Sequence, residues 1–305
     1  MSDFKFIFFA ILCFFLCPQP AAGIGLGPVG LVDDALMDTP TKFKKKPYIT
    51  VSSSYALPAS FANSSGKVSV VRNTIKAGYS IFELTYGVSN FLWEDAGEFS
   101  QQISGGESSN PPFENLQDLT LEAHLANGIF YKDWIYWLDC TATSAFEKNL
   151  PGALGLGLQG GLAYDLWKGS ILGGGVKAVA VSPINDELFG DIELGLVLSV
   201  SYEAIAETLK MIGVEMGDGK KKTIGMTVAM SGSNKIYETD GFVKETQSKF
   251  ALYLDYSPYD NWTLSIGPEY IYDRSYTFYS SNGRKLSAQD LGDAFGGLVK
   301  FMWRF

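Results

Sequence analysis

The single histidine is the residue of this sequence that most invites a catalytic interpretation. His124 shares one face of an alternating segment with Glu122 and Ala126, while Leu121 and Leu125 lie on the other face. An imidazole that acts as a general base needs a nucleophile within hydrogen-bonding reach and usually an orienting partner. Glu122 is placed to orient the ring, but no adjacent serine supplies a nucleophile. We therefore predict no catalytic residues, and we expect His124 to form hydrogen bonds in the interior of the fold.

A second motif matches the sequence pattern of a nucleotide-binding loop. Gly155, Gly157 and Gly160 match the glycine spacing of dinucleotide-binding proteins. Such a loop works only when a helix begins at its last glycines, since the helix N-terminus holds the pyrophosphate. Here leucines continue at alternate positions through the motif to Leu162 and Tyr164, so no helix begins. We expect no cofactor, and we interpret the glycines as small residues of a strand that a neighbouring strand approaches closely.

Metal ligands are also sparse. The chain has one histidine and three cysteines, of which only Cys140 lies beyond the N-terminal apolar segment. The acidic stretch 185–191 lacks the ligand spacing of a calcium-binding loop. The sequence therefore predicts no metal site, and Cys140 is expected to be a small apolar side chain and not a reactive one.

These residues must be positioned by a set of short alternating segments. After the N-terminal apolar run no stretch of 18 or more apolar residues occurs, so no transmembrane helix is predicted. Apolar residues instead alternate with polar ones, which is the period of a β-strand with two different faces. Twelve strands are predicted, at about 47–56, 68–80, 82–93, 119–130, 135–146, 154–164, 170–181, 192–202, 223–231, 250–256, 262–273 and 295–305.

The connections between these strands alternate in character. Those after the odd-numbered strands are longer or more polar, and most of those after the even-numbered strands are short. An up-and-down antiparallel barrel places the two classes at opposite ends. The long connection 94–117 and the last one, 275–293, should therefore lie at the same end, and the polar segment 232–248 is predicted as another loop there.

One connection does not fit this alternation. The segment 203–222 is long where a short turn is expected, and Ile205, Leu209 and Ile212 recur in it at helical spacing. We predict a short helix that caps the mouth of the barrel. The alternative is an additional hairpin, which would raise the count to fourteen strands.

The last predicted strand has one apolar face and one partly charged face. Gly297, Val299, Phe301, Trp303 and Phe305 share the apolar face. In water such a strand would promote aggregation, whereas its aromatic residues are well placed against lipid. A chain that ends in Phe, with hydrophobic residues at alternate positions before it, resembles the closing strand of Gram-negative outer-membrane β-barrels. The resemblance implies an all-β fold, a transmembrane antiparallel up-and-down β-barrel in the cell outer membrane.

The resemblance also implies partners. Phe301, Trp303 and Phe305 would form an assembly signal that the barrel-assembly machinery reads, and outer-membrane lipids and lipopolysaccharide would surround the barrel. Nucleic acid is not expected, because a net charge of −9 gives no concentrated basic surface.

The N-terminus is typical of an exported chain. Lys5 precedes an apolar run over 6–16 that is too short to span a bilayer, and small residues follow it. We predict a signal peptide over 1–23, an irregular leader over 24–46 that lies in the periplasm or in the lumen, and a barrel over 47–305.

Alternation places polar and charged side chains of both signs inside the barrel, where unpaired charge does not face lipid. The predicted lumen-lining residues are Arg72, Lys76, Glu83, Glu122, His124, Asp139, Gln159, Lys177, Glu193, Lys249, Asp255, Glu269, Lys300 and Arg304. A twelve-stranded barrel lies between the filled small barrels and the open porins. We expect a narrow porin-like channel or facilitator for small solutes. A structural or adhesive barrel with a closed lumen is the alternative, and an outer-membrane hydrolase is the least favoured reading.

The closing strand generates a first test. Changing Phe301, Trp303 and Phe305 together to Ser removes both the lipid-facing stripe and the assembly signal, so the variant should fail to insert into the outer membrane. Heat-modifiable migration in gel electrophoresis of outer-membrane fractions measures insertion. Normal insertion of the variant would contradict the interpretation of this strand.

Overall fold

The computed structural model of the protein describes residues 47–62, 64, 66–95, 113–131, 134–147, 150–167, 170–182, 192–200, 202–214, 224–238, 241–259 and 261–305. The predicted signal peptide 1–23, the predicted leader 24–46 and the acidic stretch 185–191 lie outside the described residues.

The described chain is almost entirely antiparallel strand. The strands in chain order are β1 Tyr48–Ser60, β2 Lys67–Tyr79, β3 Phe82–Glu94, β4 Asn115–Tyr131, β5 Trp134–Glu147, β6 Leu150–Trp167, β7 Ser170–Ser182, β8 Ile192–Val200, β9 Ile224–Glu238, β10 Phe242–Tyr259, β11 Trp262–Tyr279, β12 Lys285–Leu291 and β13 Ala294–Arg304. One helix, α1 Tyr202–Met211, follows β8. Within the described ranges no helix is long and apolar enough to cross a membrane.

The sheet closes on itself. Each strand from β1 to β10 pairs antiparallel with its sequence neighbours, β10 also pairs with β11, and β13 pairs with both β11 and β1. The ring therefore has twelve positions, as predicted. β12 adds no further position, because it pairs with Arg274–Tyr279 of β11 while β13 pairs with the preceding part of the same edge. The prediction of an all-β, antiparallel, up-and-down barrel is confirmed.

Alternation along each strand separates two faces. In β1, Val51 and Tyr55 are exposed on the outside, while Ser52 and Ser54 are buried on the inside. The same period recurs around the ring, and Leu158, Leu254, Ile266, Val299 and Phe301 belong to the exposed apolar exterior. A continuous apolar exterior with a polar interior is the reverse of a water-soluble barrel, and it suits a wall surrounded by lipid.

The segment 94–117 and the segment 275–293 lie at the same end of the barrel, as predicted. Trp93 directly precedes the segment 94–117, and its ring centroid lies 5.3 Å from that of Phe113, which belongs to this segment. Phe113 in turn contacts Tyr276 of β11 at 5.8 Å, so this connection and the 275–293 hairpin share one end of the barrel. The predicted short helix is confirmed as α1, and it lies at the opposite end because it follows the even-numbered strand β8. That it caps the barrel mouth stays a prediction.

Two loop predictions are wrong. The segments 232–248 and 275–293 are mostly strand, because β9 runs to Glu238, β10 begins at Phe242, β11 runs to Tyr279 and β12 follows. Their polar residues suggested loops, yet polar side chains are expected wherever a strand faces the interior or extends beyond the lipid. Strands β9, β10 and β11 are therefore longer than the hydrophobic alternation alone indicates.

The assignment of the two faces can be tested by introducing an arginine at one of two positions, one on the lipid-facing exterior and one outside it. Leu158 on β6 is 55% exposed on the apolar exterior, and Leu286 on β12 is 60% exposed on the hairpin beyond the closing strand. Leu158→Arg should destabilise the barrel in lipid by about 2–4 kcal/mol, because the guanidinium must be desolvated in hydrocarbon. Leu286→Arg is the matched control and should change stability little. Reversible urea unfolding in lipid vesicles measures both, and equal effects would contradict the assignment of the exterior.

Candidate functional site

The candidate site is the interior of the barrel, which fourteen residues were predicted to line. Lys76 and Asp255 are half-buried there, and the strand register places Glu193 opposite Lys177 and Arg304 opposite Tyr48. The others are buried: Arg72, Glu83, Glu122, His124, Asp139, Gln159, Lys177, Lys249, Glu269 and Lys300. In the described part of the chain these side chains form groups of opposite charge joined by tyrosines and amides.

The first group lies at the turn between β2 and β3. Lys76 forms an ion pair with Glu83, and the Tyr48 hydroxyl donates a hydrogen bond to the same carboxylate. The tight turn, with Ser80 at φ 57°, brings the two strands together within two residues. Gly78 is required beside them, because a Cβ there would overlap the Tyr48 ring.

A second group surrounds His124. Its Nδ1 lies 2.7 Å from Asp139 Oδ1 and 3.9 Å from Glu122. The Gln159 Nε2 donates to Glu122 at 2.7 Å and to Asp139 at 3.2 Å. The register of β4 and β5 places His124 directly opposite Asp139, next to a β-bulge between His124 and Ala126. The orienting partner of the imidazole is thus Asp139, and Glu122 is more distant.

This second group has the donor set of a metal site. One ligand atom each from Glu122, His124 and Asp139 lies within 4.8 Å of the others, and all three residues are buried. Carboxylate oxygens with an imidazole nitrogen are ligands for divalent transition metals. Alternation already places Glu122 and His124 on one face, but the sequence analysis predicted no metal site, because the approach of Asp139 depends on the register between β4 and β5.

A third group crosses the interior. Arg72 on β2 forms an ion pair with Glu245 on β10, strands that are not neighbours in the sheet. Tyr276 and Tyr237 donate hydrogen bonds to the same carboxylate at 3.1 and 3.3 Å, and Tyr237 also lies 3.3 Å from Ser89 of β3. Direct side-chain contacts therefore join strands that lie four positions apart in the ring of twelve.

A fourth group lies between β10 and β11. Lys249 Nζ donates to Glu269 at 2.8 Å, and the Tyr253 hydroxyl donates to the same carboxylate at 2.5 Å. Tyr253 has the same alternation as the predicted Asp255, so its inward position was readable from the sequence. Glu245 was missed because it lies in the segment 232–248, which was predicted as a loop. Arg274 was missed because it follows directly after the end of the predicted strand 262–273.

An apolar group occupies the interior at the end of the odd-numbered connections. We call it the aromatic cluster and define it as Phe61, Phe91, Trp93, Phe113 and Tyr276. Phe61 stacks on Trp93 at 5.7 Å, and Phe91 meets Phe113 edge to face at 4.8 Å. Val68, Val70, Tyr237, Phe278 and Leu291 belong to the same buried core. The cluster places aromatic side chains where an open channel would hold water.

Comparison with known proteins finds no sequence relatives but several structures of similar architecture. No protein-family model and no curated protein matches this chain. An outer-membrane channel from Pseudomonas putida F1 is similar, with 10% identity over 87% of this chain and 99% of the other and a TM-score of 0.48.

Two further structures are similar to this chain at comparably low sequence identity. The KdgM porin, in complex with disordered oligogalacturonate, has 7% identity over 84% of this chain and 99% of the other, with a TM-score of 0.41. The Pseudomonas putida toluene transporter TodX has 11% identity over 90% of this chain and 94% of the other, with a TM-score of 0.39. At identities this low, no function transfers from these proteins to this chain.

The ion pair across the barrel generates a test. Arg72→Met removes the guanidinium that pairs with the buried Glu245 carboxylate, so it should destabilise the barrel by about 3–5 kcal/mol. Adding Glu245→Leu removes the stranded charge, and the double variant should be less destabilised than the sum of the two single variants. The coupling is measured from the unfolding free energies, in one detergent, of the wild type, the two single variants and the double variant. Strict additivity would show that the contact across the interior does not form.

Proposed function

We propose that the protein is a narrow porin-like channel or facilitator for small solutes in the outer membrane of a Gram-negative cell. The observation that carries the proposal is the interior itself: a ring of twelve strands encloses charged side chains of both signs, including Arg72, Glu122, Lys249 and Glu269. A barrel that served only as an anchor could fill this space with apolar residues. Charged walls of both signs are typical of a path for hydrated polar solutes.

We propose that the described conformation is a closed one. The aromatic cluster fills one end of the interior, and the contact between Arg72 and Glu245 crosses it. We propose that passage requires these groups to separate, as hydrophobic constrictions gate other pores. The same two observations favour a second candidate, a structural or adhesive barrel whose lumen stays closed.

The proposal includes the surroundings and processing of the chain. Residues 1–23 would be removed as a signal peptide, 24–46 would form a leader, and 47–305 would form the barrel. Outer-membrane lipids and lipopolysaccharide would contact the apolar exterior, and the barrel-assembly machinery would read the closing strand. We propose no enzymatic activity and no nucleic-acid partner, and we assign His124 to the hydrogen-bonded group with Asp139.

Electrical recordings test the choice between the two candidates. The refolded barrel in a planar lipid bilayer should show discrete current steps, small because the interior is narrow. A complete lack of steps, under conditions in which an established porin conducts, would reject the channel and leave the closed barrel.

The constriction can be tested separately. Phe91 and Phe113 are buried within the aromatic cluster, whereas Phe295 is 65% exposed on the exterior. The double variant Phe91→Ala, Phe113→Ala should raise the unitary conductance severalfold, since it removes two rings from the interior. Phe295→Ala is the matched control and should leave conductance unchanged. An unchanged conductance in the double variant would contradict the placement of the constriction.

A further inference from the structure

A small cavity lies inside the barrel between β1, β2, β10 and β11. Its polar walls are Arg72, Gln247, Lys249, Glu269 and Arg274, and Val70 and Ile271 contribute apolar surface. The cavity has room for about one water-sized group. Because the lining combines a few polar side chains with apolar ones, a group bound there would be held by few donors.

Arg274 is the residue of this cavity whose bonding is incomplete. It is 4% exposed, and its Nε and Nη1 atoms are buried without a hydrogen-bond partner in the described part of the chain. An arginine side chain stays protonated, so these N–H groups remain donors at any relevant pH. A buried, charged donor without an acceptor is costly, and native structures usually supply one.

A β-bulge directs Arg274 inward. Ser248 pairs with Tyr272 and Thr246 pairs with Ser275, so β11 carries an extra residue at this point. Asp273 adopts a positive φ of 48°, a conformation that aspartate tolerates better than most residues. Without the bulge, strict alternation from the inward Ile271 would place Arg274 on the lipid side. The local backbone is therefore shaped to bring this guanidinium into the cavity.

The other charges around the cavity are already paired. Arg72 Nη2 contacts Glu245, and Lys249 contacts Glu269 at 2.8 Å. Both carboxylates also accept hydrogen bonds from tyrosine hydroxyls. Three cationic groups thus face two carboxylates, which leaves a surplus of one positive charge on Arg274. The Nε of Arg72 is also buried without a partner, so donors exceed acceptors at this point.

We propose that the cavity binds one compact anion, either a halide ion or the carboxylate group of a small organic acid. The anion accepts hydrogen bonds from Arg274 Nε and Nη1, with Arg72 Nε as a further donor. The Gln247 side chain, whose Oε1 is buried without a partner, turns its amide nitrogen toward the anion by rotation. Binding requires no passage through the barrel, so the proposal stands apart from the channel function.

The size and lining of the cavity define the class of ligand. Space for about one water-sized group excludes a hydrated sulfate or a sugar. Apolar contacts from Val70 and Ile271 lower the local dielectric, which strengthens the attraction between guanidinium and anion relative to water. The site therefore selects for compactness and negative charge.

Anion-dependent stability tests the proposal. The refolded barrel is unfolded thermally in detergent at constant ionic strength while bromide progressively replaces isethionate, a sulfonate too large for the cavity. The midpoint of the wild type should rise saturably with bromide, as ligand binding to the folded state requires. Arg274→Gln should weaken bromide binding, so that the half-saturating bromide concentration rises at least tenfold. Arg284→Gln, the same change on the exposed hairpin, is the matched control and should behave like the wild type. Equal saturable responses in Arg274→Gln and the wild type would overturn the proposal.

A second measurement remains decisive even if Arg274→Gln fails to fold. Crystals of the wild-type barrel grown with bromide should show an anomalous scattering peak within hydrogen-bonding distance of Arg274 Nε. No peak in the cavity at a bromide concentration that saturates the stability effect would overturn the proposal.

Acetate in place of bromide distinguishes the two ligand sources. A saturable response to acetate at lower concentration than to bromide identifies the carboxylate group of an organic acid, and a response to bromide alone identifies an inorganic ion. A barrel that binds either anion but carries no current would reject the channel function and leave this site intact.

Discussion

Closure of the sheet by its first and last strands is the constraint on which the rest of the structure depends. β1 and β13 pair over nine residue pairs, from Tyr48 opposite Arg304 to Ala56 opposite Gly296. An open edge in lipid would leave a row of backbone groups without partners, each costing several kcal/mol, so only a closed ring is tolerated in a membrane. Closure also fixes the alternation of every strand, because a slip by one residue would turn its charged face outward.

The interior follows from that register. Once the faces are fixed, Arg72, Glu245, Lys249 and Glu269 must share a confined space, and each carboxylate gains both a cation and tyrosine donors. Pairing of this kind offsets the cost of burying charge but adds little net stability, since desolvation consumes much of the attraction. Interior charges are therefore better explained by what they interact with than by the stability they provide. The paired groups and the unpaired Arg274 together fit the proposal that the interior interacts with charged or polar solutes.

The aromatic cluster makes one end of the interior less polar than the other. It lies at the end of the odd-numbered connections, while the group around His124 sits near the turn between β4 and β5, toward α1. One end of the lumen is thus apolar and tightly packed, and the rest is polar. A solute that moves through the barrel has to displace the aromatic side chains, whereas a permanently closed barrel would gain stability from the same contacts.

The fold was predictable from the sequence because its signals are local. Alternation in the closing strand, the lengths of the connections and the helical spacing of Ile205 and Leu209 each depend on neighbouring residues. The contacts of the interior were predictable only in part. Alternation selects which side chains turn inward, but the approach of His124 to Asp139 depends on strand register. The approach of Arg72 to Glu245 depends on how closely two non-neighbouring strands face each other across the interior.

Two features gave no usable signal at all. The bulge at Asp273 reverses the face of Arg274 and cannot be read from periodicity, because it interrupts the period. The aromatic cluster joins residues from connections and distant strands, such as Phe61, Phe113 and Tyr276, whose polar neighbours suggested loops. Both are consequences of tertiary pairing, which a single sequence does not encode in its local pattern.

The central claim is that one face of every strand contacts lipid and the other encloses a polar interior. Nitroxide labels at successive positions of β10 test it most directly, in vesicles and with Cys140 replaced by Ser. Labels at Leu252 and Leu254, which are exposed, should be accessible to oxygen dissolved in the lipid, and labels at the inward Ala251 and Asp255 should not. An oxygen accessibility that alternates with this phase supports the account. Uniform accessibility, or alternation with the opposite phase, would contradict it.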